Sequence, residues 1–484
     1  MSGTIEAVRG MHDVLPGELR STARARAALE AILAAYGYAP LDLPIVEQRD
    51  LYLRKLGEDL AGKIYEFSFG GRELALRPEW TASVLRAYVA HLQDQPLPLR
   101  LSYTGPVFRY ERPQRLTYRQ FTQVGVELVG GPAPRADAEA LALACAGLAA
   151  TGVKGYSVLV GHVGLVRELL ASLGLSERAQ GLLVWSLERL RAGGPEAVRA
   201  RLREDAGEAP PAALELPPGL DEAQAAAWLL RTLEAMQIDL STGSRAPDEV
   251  VARLLRKLRR GDEQAALDRA LDLLARLSAL RGPPAEALPA VAALLAAEGL
   301  PSAGYAELRA ILDLLPAHGL DPAMVTIDFG LGRGLHYYTG LIFEIDDPAG
   351  QQLCGGGRYD GLVAALGGRG SVPAVGFAYG LERVAAAAPP APAEPPRVAL
   401  VAPVADDDYA YAQEVARRLR ARGLVATVDV RGRPLAKNLS DAARRGAGFV
   451  AIVGAEERRG RTVVWRDLAR RDERRLALDE LDGL

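Results

Sequence analysis

Residues 103–130 read YTGPVFRYERPQRLTYRQFTQVGVELVG. Both ends alternate in the manner of strands, while the middle, Glu111–Arg119, carries Arg112, Arg115 and Arg119 around Pro113 and reads as the loop of a hairpin. An antiparallel hairpin bearing Arg109, Glu111, Arg112, Arg119, Gln123 and Glu127 is costly, because unpaired ionic groups in a sheet lose solvation that nothing returns. Such a density of charge implies internal pairing or a polyanionic, hydrogen-bonding ligand. Alternation gives Arg109, Glu111, Phe121, Gln123, Gly125 and Glu127 the same parity, so they share one face if neither strand carries a bulge. An arginine fork on that face suits a phosphate, and Phe121 suits stacking on a base. Glu111 suits a purine amino group, and Gln123 with Glu127 suits an ammonium or an imidazole. A self-neutralising salt-bridge ladder on a solvated sheet face is the other reading these residues allow.

The segment resembles motif 2 of class II aminoacyl-tRNA synthetases, and its version FRYERP...YRQFTQVGVE is similar to that of histidyl-tRNA synthetases. Further stretches match in the same order: RGMHDVLP at 9–16, LALRPEWTA at 74–82, RGLHYYTGLIFE at 333–344, GGGRYDGLVAALGG at 355–368 and VPAVGFAYGLERV at 372–384. With the C-terminal part they cover most of the chain outside 165–320. The resemblance implies an α+β fold: a class II antiparallel-sheet core with a helical insertion, followed by a C-terminal α/β anticodon-binding-like domain.

A chain of 484 residues has room for two or three domains, each with its own core, and an apolar fraction of 49% excludes wholesale disorder. The net charge of −3 announces no nucleic acid globally. Residues 397–484 alone hold 18 Lys and Arg against 14 Asp and Glu, a local +4 that permits RNA contact and is also the pattern of a solvated face. Cys145 and Cys354 are the only cysteines, neither in a metal-like spacing, and His12, His91, His162, His318 and His336 are scattered. No protein-held metal is expected, and a reduced, disulfide-free cytoplasmic protein is the simplest reading. No signal segment opens the chain and no apolar run approaches a membrane span, so no membrane partner is expected.

The expected domains are 1–164, the first part of the core with motifs 1 and 2; 165–320, a mostly helical insertion with Pro/Gly breaks near 209–218 and 282–288; 321–384, the second part of the core; 385–396, a Pro/Ala linker; and 397–484, the anticodon-binding-like domain. Helical spacing over 19–36 and a strand over 39–45 correspond to motif 1, which forms the dimer interface of class II enzymes, so a homodimer is implied. Residues 73–79 alternate toward Glu79, and a helical stretch follows from Thr81 to Leu92. The family usually has glycine after this glutamate, and Trp80 is expected to narrow or reshape the amino-acid pocket. The stretch Gly161-His162-Val163-Gly164 resembles the regulatory subunit of ATP phosphoribosyltransferase, a paralogue, although a buried turn histidine also accounts for it. The order βαβαββ, ending in a charged tail, is expected beyond the linker, where GRPLAKNLSDAARRGA at 432–447 resembles the anticodon-binding domain of histidyl enzymes.

Class II activation joins the amino-acid carboxylate to the α-phosphate of ATP, so the site must hold two anions together for an in-line transfer. By resemblance, Arg109 binds the α-phosphate and Arg333 stabilises the transition state. Arg383, at the end of motif 3, holds the outer phosphates of ATP with its Mg²⁺, while Glu111 and Phe121 hold the adenine. Glu79, Gln123, Glu127, Arg333, Tyr337, Tyr338 and Tyr359 enclose histidine. The resemblance implies a histidine–tRNA ligase with L-histidine, ATP and tRNA(His) as partners. The departures Trp80, His336 (usually Asp or Glu) and Leu116-Thr117 (usually Gly-Arg) leave a second reading, a non-catalytic histidine-sensing regulatory subunit that partners a short ATP phosphoribosyltransferase catalytic subunit.

Overall fold

The computed structural model describes residues 5–53, 62–206, 222–235, 251, 260–332, 337–390 and 398–483. The chain forms two compact units, Met1–Pro389 and Pro390–Leu484. Strands of the first unit are β1 (Ala39–Pro40), β2 (Val46–Gln48), β3 (Glu66–Phe69), β4 (Arg72–Leu76), β5 (Leu99–Phe108), β6 (Gln120–Val129), β7 (Ser157–His162), β8 (Val325–Ile327), β9 (Leu341–Asp346), β10 (Gln352–Arg358) and β11 (Ala374–Gly380). Among the described residues, eight of them build one sheet in the order β1-β5-β6-β11-β10-β9-β7-β8, and β2-β4-β3 form a small second sheet. The large sheet is antiparallel from β5 to β7 and parallel only at its edges, β1 on β5 and β8 on β7.

The expected hairpin is β5–β6. Its ladder runs from Leu99 opposite Val129 to Phe108 opposite Gln120 without a register shift, so parity is conserved over its whole length. Even-numbered Val124, Val126 and Leu128 enter the main core with Leu29 and Leu33 of helix Pro16–Ala35 and Leu141 and Leu148 of helix Arg135–Thr151. Odd-numbered residues turn to the opposite face. Helix Arg135–Thr151 is rich in alanine, which lets it lie close to the sheet, and Gly152 ends it at φ 81°.

The strand expected over 39–45 is shorter: only Ala39–Pro40 pairs with β5, and the chain then moves to the small sheet at Val46. Pro40 and Pro44 lack the N–H that a longer ladder would need. The helical run from Thr81 changes at Tyr88 into a π-helical turn that ends at Leu92. Residues 163–314 are helical wherever described outside short connections, with a kink at Gly194 (φ 72°) before Pro195. The break expected near 209–218 lies outside the described residues, as do Arg333 and His336. At the other break Gly282 exchanges backbone hydrogen bonds with Ile327, and Pro283 precedes helix Pro284–Ala297. His162 is a buried capping residue: its Nδ1 accepts from the Leu165 N–H at 2.9 Å and its Nε2 donates to Glu307 at 3.1 Å.

The second unit has strands β12 (Val398–Pro403), β13 (Val425–Val428), β14 (Phe449–Val453), β15 (Thr462–Asp467) and β16 (Asp472–Ala477) in the order β13-β12-β14-β15-β16. Helices Tyr409–Ala421 and Leu435–Arg444 make the parallel crossovers between β12, β13 and β14. The expected charged tail is instead an edge strand, β16, followed by a 3₁₀ segment. Charged side chains on an edge are compatible with pairing on one side only and discourage further strands from joining. No described helix is long and apolar enough to cross a membrane.

One buried ion pair ties the sheet to its covering helix. Arg358, at the end of β10, donates from Nε to Asp137 Oδ1 at 2.9 Å, from Nη1 to Asp360 Oδ1 at 2.8 Å and from Nη2 to the Gly131 carbonyl at 3.0 Å. Burial pushes the Asp137 carboxyl above its ordinary range, opposed by the guanidinium. Asp137→Ala would leave the buried Arg358 guanidinium with the partly exposed Asp360 as its one ionic partner among the described residues and should cost about 3 kcal/mol, the low end for breaking a buried pair. The double change Asp137→Leu with Arg358→Met should recover much of that loss, as read from the urea unfolding transition of the full chain.

Candidate active site

The odd-numbered face of β6 opens into a cavity lined by Arg109, Glu111, Leu116, Thr117, Phe121 and Gln123 from the hairpin and by Gln352, Cys354, Gly380, Glu382 and Arg383 from β10, β11 and helix Leu381–Ala387. Four residues expected at a nucleotide, Arg109, Glu111, Phe121 and Arg383, therefore meet in one place. β5 ends at Phe108, so Arg109 and Glu111 project from the start of the loop; Arg109 still closes one more rung by donating its N–H to the Arg119 carbonyl at 2.9 Å. The Arg109 guanidinium lies 5.4 Å from the Phe121 ring centroid and donates from Nε to the Pro78 carbonyl at 2.8 Å. Arg383 donates to three neutral acceptors: the Leu116 carbonyl at 3.0 Å, the Gln352 carbonyl at 3.1 Å and Thr117 Oγ1 at 3.2 Å. Among the described residues no carboxylate forms an ion pair with it, so neutral acceptors orient the guanidinium while Glu111, Glu382, Asp346 and Asp347 act on it from a distance.

Leu116 adopts φ 56°, a left-handed conformation unusual for a branched side chain, at one of the positions where the sequence departs from the family pattern. The conformation aims its carbonyl at Arg383. Arg119 serves the loop itself: it donates from Nε to the Glu111 carbonyl, lies 3.8 Å from the Tyr110 ring and receives the N-terminal segment through Arg9 and Gly10 carbonyls. His12 stacks on Tyr118 at 4.7 Å, so the RGMHDVLP stretch braces the hairpin loop.

Deeper on the same face, Glu127 is fully buried and accepts from three hydroxyls: Thr81 Oγ1 at 2.7 Å, Tyr103 at 3.1 Å and Tyr359. A side chain at Gly376 on the neighbouring strand would overlap Glu127 Oε2, so the glycine makes room for the carboxylate. Glu79 lies at the end of the segment leading into helix Thr81–Ala87; its Oε1 accepts from the Ala82 N–H at 2.9 Å, and its buried Oε2 has no hydrogen-bond partner among the described residues. Gln123 Oε1 is buried without a partner in the same sense. Burial raises the Glu79 carboxyl, and burial together with the nearby Glu79 raises that of Glu127 well above the ordinary range. Tyr337 stands 4.8 Å from Tyr338 and 5.6 Å from Tyr359, ring to ring.

The residues expected at an amino acid, Glu79, Gln123, Glu127, Tyr337, Tyr338 and Tyr359, thus form buried carboxylate and tyrosine groups on the cavity's side of the sheet, with Gln123 common to both regions. Orphaned acceptors beside raised carboxyls call for a ligand rich in donors or carrying positive charge. Among the described residues no cluster of three or more His, Cys, Asp or Glu has metal-binding geometry. Tyr103, Thr81 and Glu382 belong to the site and were not singled out from the sequence. Tyr103 shares the odd parity of Glu127 and faces Gly125 across the ladder, a pairing of a large ring with a glycine that could have revealed it. Trp80 does not line the cavity. It is fully buried against the odd-numbered residues Tyr103 and Val107 of β5, so any influence of its indole on the amino-acid pocket passes through Tyr103.

The histidyl-tRNA synthetase family profile matches residues 10–242 and 233–384, and an anticodon binding domain profile matches 398–483. A histidine–tRNA ligase of Archaeoglobus fulgidus is 31% identical over 481 residues, covering 99% of this chain and 98% of its own length. One of Methanocaldococcus jannaschii is 32% identical over 479 residues, covering 98% and 97%. In fold, the chain is similar to the apo histidyl-tRNA synthetase of S. aureus (TM-score 0.60, 24% identity, 99% of each chain covered). It is also similar to a Bacillus halodurans protein described as an ATP phosphoribosyltransferase regulatory subunit/histidyl-tRNA synthetase (TM-score 0.68, 23% identity, 94% of this chain and 100% of that one). The matched profile spans both halves of the sheet and the relatives extend over nearly the whole chain: it belongs to the histidyl-tRNA synthetase family.

Proposed function

We propose that the chain is a histidine–tRNA ligase, which activates L-histidine with Mg²⁺-ATP to histidyl-adenylate and passes the histidyl group to tRNA(His). The observation that carries this reading is the meeting, at Gln123, of a cavity whose Arg383 guanidinium has only neutral hydrogen-bond acceptors among the described residues and a buried cluster of carboxylates. In this assignment Arg109 binds the α-phosphate and Arg383 the outer phosphates, with Glu111 and Phe121 on the adenine. Glu79, Gln123, Glu127, Tyr337, Tyr338 and Tyr359 receive histidine together with Arg333, which is also assigned the stabilisation of the transition state. The histidine carboxylate attacks the α-phosphorus and pyrophosphate leaves; the 3′-terminal ribose hydroxyl of the tRNA then takes the acyl group and AMP leaves. Residues 397–484 contact the anticodon arm, and the enzyme works as a cytoplasmic homodimer.

A sensor would need the carboxylate pocket and no phosphate chemistry, so histidine-dependent exchange of pyrophosphate into ATP decides the matter. Exchange is the expected result; protein that binds histidine yet catalyses no exchange overturns the ligase reading. Within that assay Arg333→Ala should lower the rate about 10²–10³-fold with much smaller changes in histidine and ATP affinity, because the guanidinium meets charge that develops in the transition state. Arg333→Lys should recover little, since an ammonium keeps the charge and loses the planar fork.

The raised carboxyls give a second expectation. A group whose pKa lies above its ordinary value of about 4.3 retains its proton as the pH climbs past that value, and an arriving ammonium favours the ionised form, so histidine binding releases protons. Affinity should therefore strengthen with rising pH. At about pH 7.5 the imidazole of free histidine, of pKa about 6.5, is already mostly neutral. Calorimetry from acid pH up to this point, in buffers of different ionisation enthalpy, should show a buffer-dependent heat wherever the two carboxyls still hold protons; heats identical throughout would mean that Glu79 and Glu127 are ionised before histidine arrives.

A further inference from the structure

Trp80 occupies the position between two pocket residues, Glu79 and Thr81, and is 0% exposed. Its ring lies 3.5 Å beneath the guanidinium carbon of Arg77 on one face. On the other it stacks on Tyr103, at 4.8 Å between centroids and 10° between planes. Its Nε1 points to the Gly105 carbonyl at 3.4 Å. Arg77 is itself immobilised, donating from Nε to the Pro106 carbonyl at 2.8 Å and from Nη1 to the Leu43 carbonyl at 2.9 Å. The layers therefore run from a pinned guanidinium through indole and phenol to the Tyr103 hydroxyl, which donates to Glu127.

The strands leave space for this arrangement at two points. A Cβ on Gly105 would come within 2.7 Å of Trp80 Cζ2, and one on Gly125 within 2.5 Å of the Tyr103 hydroxyl. The family's usual glycine after Glu79 would leave the volume between Arg77 and Tyr103 unfilled. The phenol would then be free to tilt off Glu127, leaving the carboxylate two hydroxyl donors in place of three.

We propose that Trp80 is a positioning residue for the histidine pocket: held between Arg77 and Tyr103, its indole keeps the Tyr103 hydroxyl on Glu127 and so sets the affinity for the amino acid. This rests on the assignment of Glu127 to histidine. Trp80 touches no substrate in this scheme, and its effect passes through Tyr103.

The test is a double-mutant cycle in the full-length protein, read by histidine calorimetry and by pyrophosphate exchange. Trp80→Leu and Tyr103→Phe should each weaken histidine about tenfold, about 1.4 kcal/mol, and leave the KM for ATP within about twofold. The double variant should be no weaker than the worse single one, because both changes remove the same hydrogen bond. Trp80→Phe, with a smaller aromatic face, should weaken histidine only about threefold, and its cycle with Tyr103→Phe serves if the leucine variant does not fold. Additive losses, about a hundredfold in the leucine double variant, would overturn the inference alone. An unchanged histidine affinity in Trp80→Leu, whatever its melting temperature, would do the same. A parent protein that binds no histidine would overturn the pocket assignment and the inference with it.

Discussion

A carboxylate deep in a sheet, neutralised by no contacting cation among the described residues, sets the terms for the fold around it. Glu127 lies on β6 between β5 and β11, and solvent does not reach it. Its desolvation is offset by hydroxyls drawn from three separate stretches: Thr81 beyond β4, Tyr103 on β5 and Tyr359 beyond β10. Each of those stretches is held in turn. Tyr359 follows Arg358, which is locked to Asp137 of the covering helix, and Thr81 follows Trp80. The polar centre is thus also where distant parts of the chain are brought into register, and its residual cost is the binding energy available to a cationic ligand.

The phosphate side follows a different principle. Arg383 is aimed by backbone carbonyls and a hydroxyl, which fix its direction without a contacting carboxylate among the described residues. Two of those acceptors belong to Leu116 and Thr117, so the hairpin loop and helix Leu381–Ala387 share one anchor. A polyanion entering the cavity competes with neutral acceptors, an exchange far cheaper than breaking an ion pair. The left-handed Leu116 is the conformational cost of this arrangement, for which glycine would carry less strain.

Much of the site was legible because it lies on strands, where period-2 alternation converts residue numbers into faces. Phe121, Gln123 and Glu127 share one face on that ground, and the β5–β6 ladder carries no bulge to spoil the count. Elsewhere local pattern misled. The strand expected over 39–45 is curtailed by prolines, and β16 hid behind Asp472, Glu473, Arg474 and Arg475 because an edge strand has no apolar face to advertise it. Alternation gives a face only within a strand, and Trp80 follows the last residue of β4 by four positions, where the chain is turning into a helix, so its stacking on Tyr103 was not legible from the pattern. His162 read as a buried turn residue within a stretch that also resembles the regulatory paralogue, and the partners supplied by Leu165 and Glu307 show it as a buried cap.

The division of β6 between core and site also limits how the protein can drift. Even residues pack against the helices and odd residues serve the ligands, so inserting or deleting one residue between Gln120 and Val129 would exchange the two sets, pressing Glu127 toward Leu141 and offering Val126 to the pocket. Such a lesion would damage folding and chemistry at a stroke. Descendants of this chain can therefore vary the strand by substitution but not in length, and the loop between Arg109 and Arg119, which anchors Arg383 through Leu116 and Thr117, is held to its length by a second constraint.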